Sequence, residues 1–197
     1  MTAAGICTLD GLVGRGFRCI VADPPWDVAA GPRSLHDKNE RTRRLEYPTM
    51  PLDEIAALPV SSVAEKDAHL YIWTINRYVE QTYDIARAWG FAPSTLLIWA
   101  KKPKGRGLGG TFSTACEFIL FCRRGSCAAK DRVDRNWWGW PRGAHSAKPE
   151  AFQDLVESVS PGPYLELFAR RPRLGWTVWG NEVPCKANPS FQGGGTL

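Results

Sequence analysis

Short apolar runs recur along the chain and alternate with stretches of helical period. Cys19-Ile20-Val21-Ala22 within residues 18–22, His69-Leu-Tyr-Ile-Trp-Thr74, residues 95–100 and 115–122, Tyr164-Leu-Glu-Leu-Phe168 and Trp176-Thr-Val-Trp179 all have the length and composition of buried strands. Between them, residues 77–89 carry a helical spacing that Gly90 stops. Residues 149–159 place Phe152, Leu155, Val156 and Val159 on one helix face, with Pro149 at the start and Pro161-Gly162 at the end. Pro51, Asp53, Glu54, Ile55 and Leu58 predict a shorter helix, with its acids near the positive end of the dipole. Strands alternating with helices predict an α/β fold, a mostly parallel sheet covered on both faces whose ligands bind at the carboxyl ends of the strands.

The gaps in this pattern are also informative. Residues 27–46 have almost no hydrophobic period and many Gly, Pro and charged residues, which predicts a long loop of the kind that is usually functional or disordered. Gly105-Arg-Gly-Leu-Gly-Gly110 fits neither a Walker nor a dinucleotide fingerprint and reads as loop mobility. Asn136-Trp137-Trp138-Gly139-Trp140 is an aromatic cluster without a clean period, for which core packing is preferred over a stacking platform. Residues 1–16 read as a tail or edge element, 17–183 as one domain and 184–197 as a disordered tail. A chain of 197 residues fills one domain.

Chemistry concentrates where the first strand ends, at Asp23-Pro24-Pro25-Trp26. The prolines fix φ near about −65° and donate no amide hydrogen, so the tetrapeptide keeps one shape with its carbonyls free to accept. Asp23 can then take one hydrogen of an exocyclic amine and the Pro24 carbonyl the other, while Trp26 or a nearby aromatic stacks on the ring that bears the amine. The competing reading is a plain Pro-Pro turn with Trp26 packed.

Composition narrows the partners. Hydrophobic residues make up 44% and charged residues 23%, as in ordinary globular proteins, and no apolar run is long enough to span a bilayer. The first residues lack the basic start and apolar core of a secretion signal, which predicts a cytoplasmic protein with reduced thiols. Six cysteines without a C-x-x-C pair and three scattered histidines predict no metal site. A net charge of +5 favours a polyanionic partner. Arg33, His36, Lys38, Arg41, Arg43 and Arg44 follow the Asp-Pro-Pro-Trp directly, and Lys101, Lys102, Lys104 and Arg106 form a second group. Each reads either as a solvated loop or as phosphate contacts, the second being preferred because both lie close to the motif in the predicted arrangement.

Val21-Ala22-Asp23-Pro24-Pro25-Trp26-Asp27 resembles the MT-A70 family of adenine N6-methyltransferases, and further segments agree in order over residues 18–182. These are Tyr47-Pro-Thr-Met50, Leu70-Tyr-Ile-Trp73, Leu97-Ile-Trp-Ala-Lys101, Glu117, Ser146-Ala-Lys-Pro149, Glu166-Leu-Phe-Ala-Arg170 and Trp179-Gly-Asn181-Glu182. The resemblance implies a Rossmann-like methyltransferase fold in permuted motif order, the catalytic strand preceding the cofactor strand, typically with an antiparallel strand at one edge of the sheet. It implies S-adenosylmethionine as cofactor and Asp23, Pro24, Pro25 and Trp26 as the catalytic segment. Cofactor contacts are expected from Ala22, Asp23, Lys101, Glu166, Phe168, Arg170, Asn181 and Glu182, although Phe168-Ala169-Arg170-Arg171-Pro172 lacks the glycines of the usual cofactor loop. Lys101 suits a cofactor carboxylate, a substrate phosphate or plain solvation at a strand end. Tyr47 either lines the target pocket or packs. Arg41, Arg43, Arg44 and Lys102 are the substrate-binding candidates.

The expected reaction is methyl transfer to the N6 amino group of adenine in nucleic acid, with DNA preferred and RNA the alternative. A catalytically silent nucleic-acid-binding partner is a different reading, opposed by the intact Asp23 acid. A small-molecule or protein methyltransferase is disfavoured by the two basic stretches. Homo- or hetero-oligomers are compatible with the sequence.

Overall fold

A computed structural model describes residues 9–27, 48–102, 112, 114–143, 147–180 and 183. Seven strands form one sheet: β1 (Phe17–Ala22), β2 (Ala64–Thr74), β3 (Ala92–Ala100), β4 (Cys116–Arg124), β5 (Trp137–Trp138), β6 (Tyr164–Leu167) and β7 (Trp176–Trp179), in the order β5-β3-β4-β2-β1-β6-β7. Four helices accompany them: α1 (Leu52–Ala57), α2 (Val60–Val63), α3 (Val79–Ala88) and α4 (Glu150–Val159).

β1 is buried on both faces, and its alternation sorts side chains into two cores. Ile20 and Ala22 point into one, with Leu70, Ile72, Leu165 and Leu167 from the neighbouring strands and Ile55, Ile85 and Trp89 from α1, α3 and the end of α3. Cys19 and Val21 point into the other, with Tyr71, Trp73, Trp99, Ile119 and Trp176, which α4 covers through Phe152 and Val156. Helices therefore lie on both faces, as the alternation predicts. Gly90 stops the α3 segment at φ +81, a conformation that costs a glycine little. Pro149 is the N-cap of α4, where its missing amide hydrogen leaves nothing unsatisfied.

β1 pairs in parallel with β2 and β6, β6 with β7, and β3 with β5. β4 alone runs antiparallel, to β2 and to β3. The expected antiparallel strand is thus present but inside the sheet, not at an edge. The crossover through α3 leaves a gap one strand wide between β2 and β3, and β4 fills it by returning along β3. Two further expectations change. Leu9–Leu12 form a 3-10 turn whose two leucines are buried in the first core, so this part of residues 1–16 belongs to the body of the domain. The aromatic cluster supplies β5, a strand too short to show a period. No helix among the described residues is long and apolar enough to cross a membrane.

Candidate active site

Asp23 follows the last residue of β1, and its amide donates to the Leu167 carbonyl at the end of β6 at 3.4 Å. Two residues on from Val21, its side chain emerges on the face that α4 covers. Lys148, just before α4, brings its Nζ to 2.9 Å from Asp23 Oδ1 and 3.3 Å from Glu117 Oε2, with the Trp73 ring 5.1 Å away. Lys101, at the end of β3, closes the row by pairing with Glu117 Oε1. On the other side of Asp23, Glu166 of β6 accepts from Gln153 Nε2 of α4 at 2.6 Å.

Burial and mutual fields set the charges. Burial works against the Lys148 ammonium, but the Asp23 and Glu117 carboxylates outweigh it and hold the lysine above its usual pKa. Burial likewise works against ionised Glu117, and Lys148 and Lys101 together overcome it, so its pKa is lowered. Glu166 lacks such partners: burial first and the neighbouring Asp23 charge second push it up to about 7, only partly opposed by Arg171 and the Gln153 bond. The row therefore holds Glu117 and Lys148 in their charged forms and leaves the Glu166 acid pushed up to about 7.

The Asp-Pro-Pro-Trp segment is held more tightly than its sequence suggests. The Pro24 carbonyl accepts the Trp26 amide at 2.9 Å and the Pro25 carbonyl the Met50 amide at 3.0 Å. Both carbonyls were expected to be free, and neither wholly is, because those two amides need acceptors; one lone pair on Pro24 remains. Trp26 is turned inward. Its indole donates to the Trp73 carbonyl at 3.0 Å, its ring stacks on Tyr78 at 5.4 Å, and it is 5% exposed. It anchors the segment and presents no face to a ligand, which is the packed reading of the motif.

Other expected residues divide. Ala22 is fully buried beneath Asp23. Lys101 is engaged with Glu117 and lies 5.3 Å from the Trp99 ring, so it is not a solvated strand end. Phe168 leaves β6 at φ 62 and meets Trp179 edge-on at 5.5 Å. Arg170 is half-buried two residues beyond. Lys102 is exposed and bridges to Pro141 on the far side of the sheet. Trp138 and Trp140 stack at 5.2 Å, the packed arrangement expected of them, whereas Trp137 is 57% exposed. Asn181, Glu182, Tyr47, Arg41, Arg43 and Arg44 lie outside the described residues, as do the segments 28–47 and 184–197.

Sequence reasoning quoted Lys148 and Glu117 without giving either a task, and it passed over Gln153. One signal was present for Lys148. A cation directly before a helix faces the positive end of the dipole, an unfavourable place unless carboxylates hold it there. Two do.

The ends of β6 and β7 also have the chemistry for a cationic nucleoside. Asp23 and Glu166 repel each other, a strain that a positive charge placed near them relieves, and carboxylate oxygens accept from ribose hydroxyls. Beside them, Gly180 packs so closely that a Cβ there would lie 2.4 Å from the Ala169 carbonyl oxygen, and the Ala169 amide donates to the Trp179 carbonyl at 2.9 Å. That junction brings the carboxyl ends of the two strands together. Among the described residues no cluster of His, Cys, Asp and Glu suits a metal ion.

Comparison with known proteins shows the family. The MT-A70 family model matches residues 17–182. The chain is 32% identical over 188 residues to the type II methyltransferase M.MunI of Mycoplasma sp, covering 86% of this chain and 79% of that protein. It is 28% identical to an N(6)-adenosine-methyltransferase MT-A70-like protein of Drosophila melanogaster, covering 89% of this chain and 28% of that one. It is 30% identical to the N(6)-adenine-specific methyltransferase METTL4 of Homo sapiens, covering 86% and 38%. The chain thus spans well under half of the latter two relatives.

Proposed function

The chain belongs to the MT-A70 family and is an adenine N6-methyltransferase, and from that premise we propose that its substrate is DNA and that Asp23 is its catalytic acid group. The DNA preference follows a type II methyltransferase of which this chain covers 79%. RNA is the second reading, favoured by the relatives named as adenosine methyltransferases. S-adenosylmethionine is the methyl donor that the family implies, and Glu166, Phe168 and the segment around Gly180 would hold it, with Asn181 and Glu182 next in sequence. We place the protein in the cytoplasm, as a single methyltransferase domain over residues 17–183.

The observation that carries the mechanism is the one-sided anchoring of Asp23. Lys148 fixes Oδ1, and among the described residues nothing bonds Oδ2. That oxygen and the remaining lone pair of the Pro24 carbonyl accept the two hydrogens of the N6 amine. Accepting both pulls the nitrogen toward a tetrahedral shape and concentrates its lone pair, which is otherwise delocalised into the ring. The chemistry supplied by S-adenosylmethionine when bound is an electrophilic methyl group on a positively charged sulfur. As the new bond to nitrogen formed, the methyl–sulfur bond would break and the sulfur would leave neutral, so positive charge would pass to nitrogen, at which the Asp23 carboxylate is already aimed, and the nitrogen would then release one hydrogen as a proton to solvent. Positioning supplies much of the remaining acceleration. The adenine must leave a duplex stack to reach this depth, so a flipped or single-stranded base is the form that reacts.

The stretch 27–46 joins Trp26 to Tyr47, and its Arg41, Arg43 and Arg44 are proposed to grip phosphates beside the target while Tyr47 lines its pocket. The deciding experiment incubates the protein with methyl-labelled S-adenosylmethionine and DNA or RNA, then identifies the modified nucleoside. N6-methyldeoxyadenosine in DNA is the expected product. Label only in RNA moves the proposal to the second reading, and label in neither rejects it.

A further inference from the structure

At the far edge of the sheet from β1, β5 presents an aromatic side chain among cations that make no ion pair with a described residue. Trp137 is 57% exposed on a strand that among the described residues pairs with β3 alone, and Val133, 37% exposed, lies just before it. Arg132, Arg135, Lys102 and Arg142 are all exposed, and none makes an ion pair with a described residue, unlike Lys101, Lys148, Arg171 and Arg173. Asp131 and Asp134 are the acids of this strip, and Asp131 is turned back onto the amide of Arg132. Lys102 is built into the strip by three contacts. Its amide donates to the Trp140 carbonyl at 3.2 Å, its carbonyl accepts from Arg142 at 2.9 Å, and its side chain lies across Gly139, where a Cβ would meet Cε at 2.6 Å.

On the α4 face of the same edge is a cleft of about 610 Å³ floored by Tyr71, Leu97, Phe121 and Trp138, with Arg123 and Arg135 at its margin, whereas Trp137, opposite Ile98, stands on the other face. Its volume suits a small planar group. An exposed indole at an edge whose cations make no ion pair with a described residue matches a single nucleic-acid strand, whose bases stack on aromatics while its phosphates need positive charge.

We propose that the β5 edge, centred on Trp137 with Arg132, Arg135 and Lys102, is a docking track for the single-stranded polynucleotide flanking the target adenine. The assignment rests on the nucleic-acid reading above and adds where the strand runs. β5 is four strands from β1, about 19 Å at the usual strand spacing. That distance is five or six nucleotide steps at the duplex rise of about 3.4 Å, and fewer in an extended strand. Lys102 follows Lys101 directly, so the track meets the active-site row at the end of β3. Trp137 therefore touches a base remote from the reacting one and acts on substrate binding without touching the methyl transfer.

The test measures binding of labelled single-stranded DNA by fluorescence anisotropy, which is independent of turnover, alongside steady-state kinetics. Two oligonucleotides carry the target adenine, one of about 16 nucleotides and one of about 4, bracketing common single-strand site sizes. Trp137→Ala should raise Kd and KM for the long oligonucleotide about tenfold, leave kcat within about twofold, and leave the short one unchanged. Trp137→Phe should restore most of the loss. The double variant R132A/R135A should flatten the salt dependence for the long oligonucleotide by up to about 1.4 in log–log slope.

Parent-like Kd and salt slope in these variants would overturn the proposal, as would an equal loss on both lengths, which signals a general defect. A change in association state without a change in DNA binding would also overturn it, and would make the edge an interface between copies. The outcome is separable from the functional reading: absence of N6-methyladenine with the parent protein rejects that reading, while the anisotropy comparison still decides the track.

Discussion

The ammonium of Lys148 lies 2.9 Å from Oδ1 of Asp23, joining the start of α4 to the end of β1. In the mechanism proposed above, the lysine orients the carboxylate instead of reacting.

Asp23→Asn keeps the shape and removes the charge that meets the methylated nitrogen. Turnover should fall on the order of 10²-fold or more, as for loss of one preorganised electrostatic contact. Thermal unfolding should show a folded protein, and near-parent formation of N6-methyladenine would remove Asp23 from the mechanism.

Lys148→Met should be harmful in two ways. It leaves Asp23, Glu117 and Glu166 with only Lys101 among them, so stability should fall by about 1–3 kcal/mol, below the cost for a fully buried pair because these side chains retain some solvent. It also frees Asp23 to rotate, so kcat should fall in a sample that is still folded. Combining it with Glu117→Gln should recover part of the stability and none of kcat, as denaturant titration and initial rates on the same preparations can show.

Glu166 titrates at about 7 because burial and Asp23 oppose its charge. An ionised Glu166 suits a cationic cofactor, so S-adenosylmethionine should bind more tightly as pH rises from 6 to 8, and Glu166→Gln should flatten the dependence. Stability moves the opposite way. A carboxyl group raised in the folded state keeps its proton longer than in the unfolded chain, so the native state loses stability as pH climbs from the ordinary glutamate range through 7. Calorimetric titration and thermal midpoints over one pH series test both signs.

His69 is buried between Ser160 and Cys127, at 2.8 Å from Ser160 Oγ and 3.1 Å from the Cys127 carbonyl. A carbonyl only accepts, so Nε2 carries the hydrogen and Nδ1 accepts from Ser160, whose oxygen takes the Tyr71 hydroxyl at 2.8 Å. Burial lowers the His69 pKa, outweighing the Cys127 bond. The unfolded chain thus binds a proton first, and the contribution to stability is present above about 6.5 and lost as pH falls below it. Thermal midpoints between pH 8 and 5 should drop more steeply in the parent than in His69→Gln.

Much of this was legible in the sequence, for identifiable reasons. β1, β6 and β7 are short apolar runs, and α3 and α4 carry one apolar face, so periodicity alone located them. The placement of β4 between β2 and β3 was not legible, because strand order depends on which gap a crossover leaves and not on any residue in the strand. Asp23 was legible from its flanking prolines. The inward turn of Trp26 was not, since an indole beside an acid reads equally as a stacking face or as a packed anchor, and the Trp73 carbonyl that decides between them is a backbone atom on another strand. Lys148 and Glu117 acquire meaning only as a pair brought together by α4 and β4.

The position of β1 between β2 and β6 also bears on how the protein is made. Strands β1 to β4 leave the ribosome as a block that can pair among itself, with Asp23 already at its edge. Lys148, Gln153 and Glu166 emerge only with the final third of the chain, and β6 must then add to the exposed side of β1 over a long sequence separation, a slow kind of pairing. Until it does, one flank of Asp23 is an unsatisfied strand edge, the kind of surface that invites aggregation. A chain cut before β6 therefore carries the family's motif without Glu166 beside it.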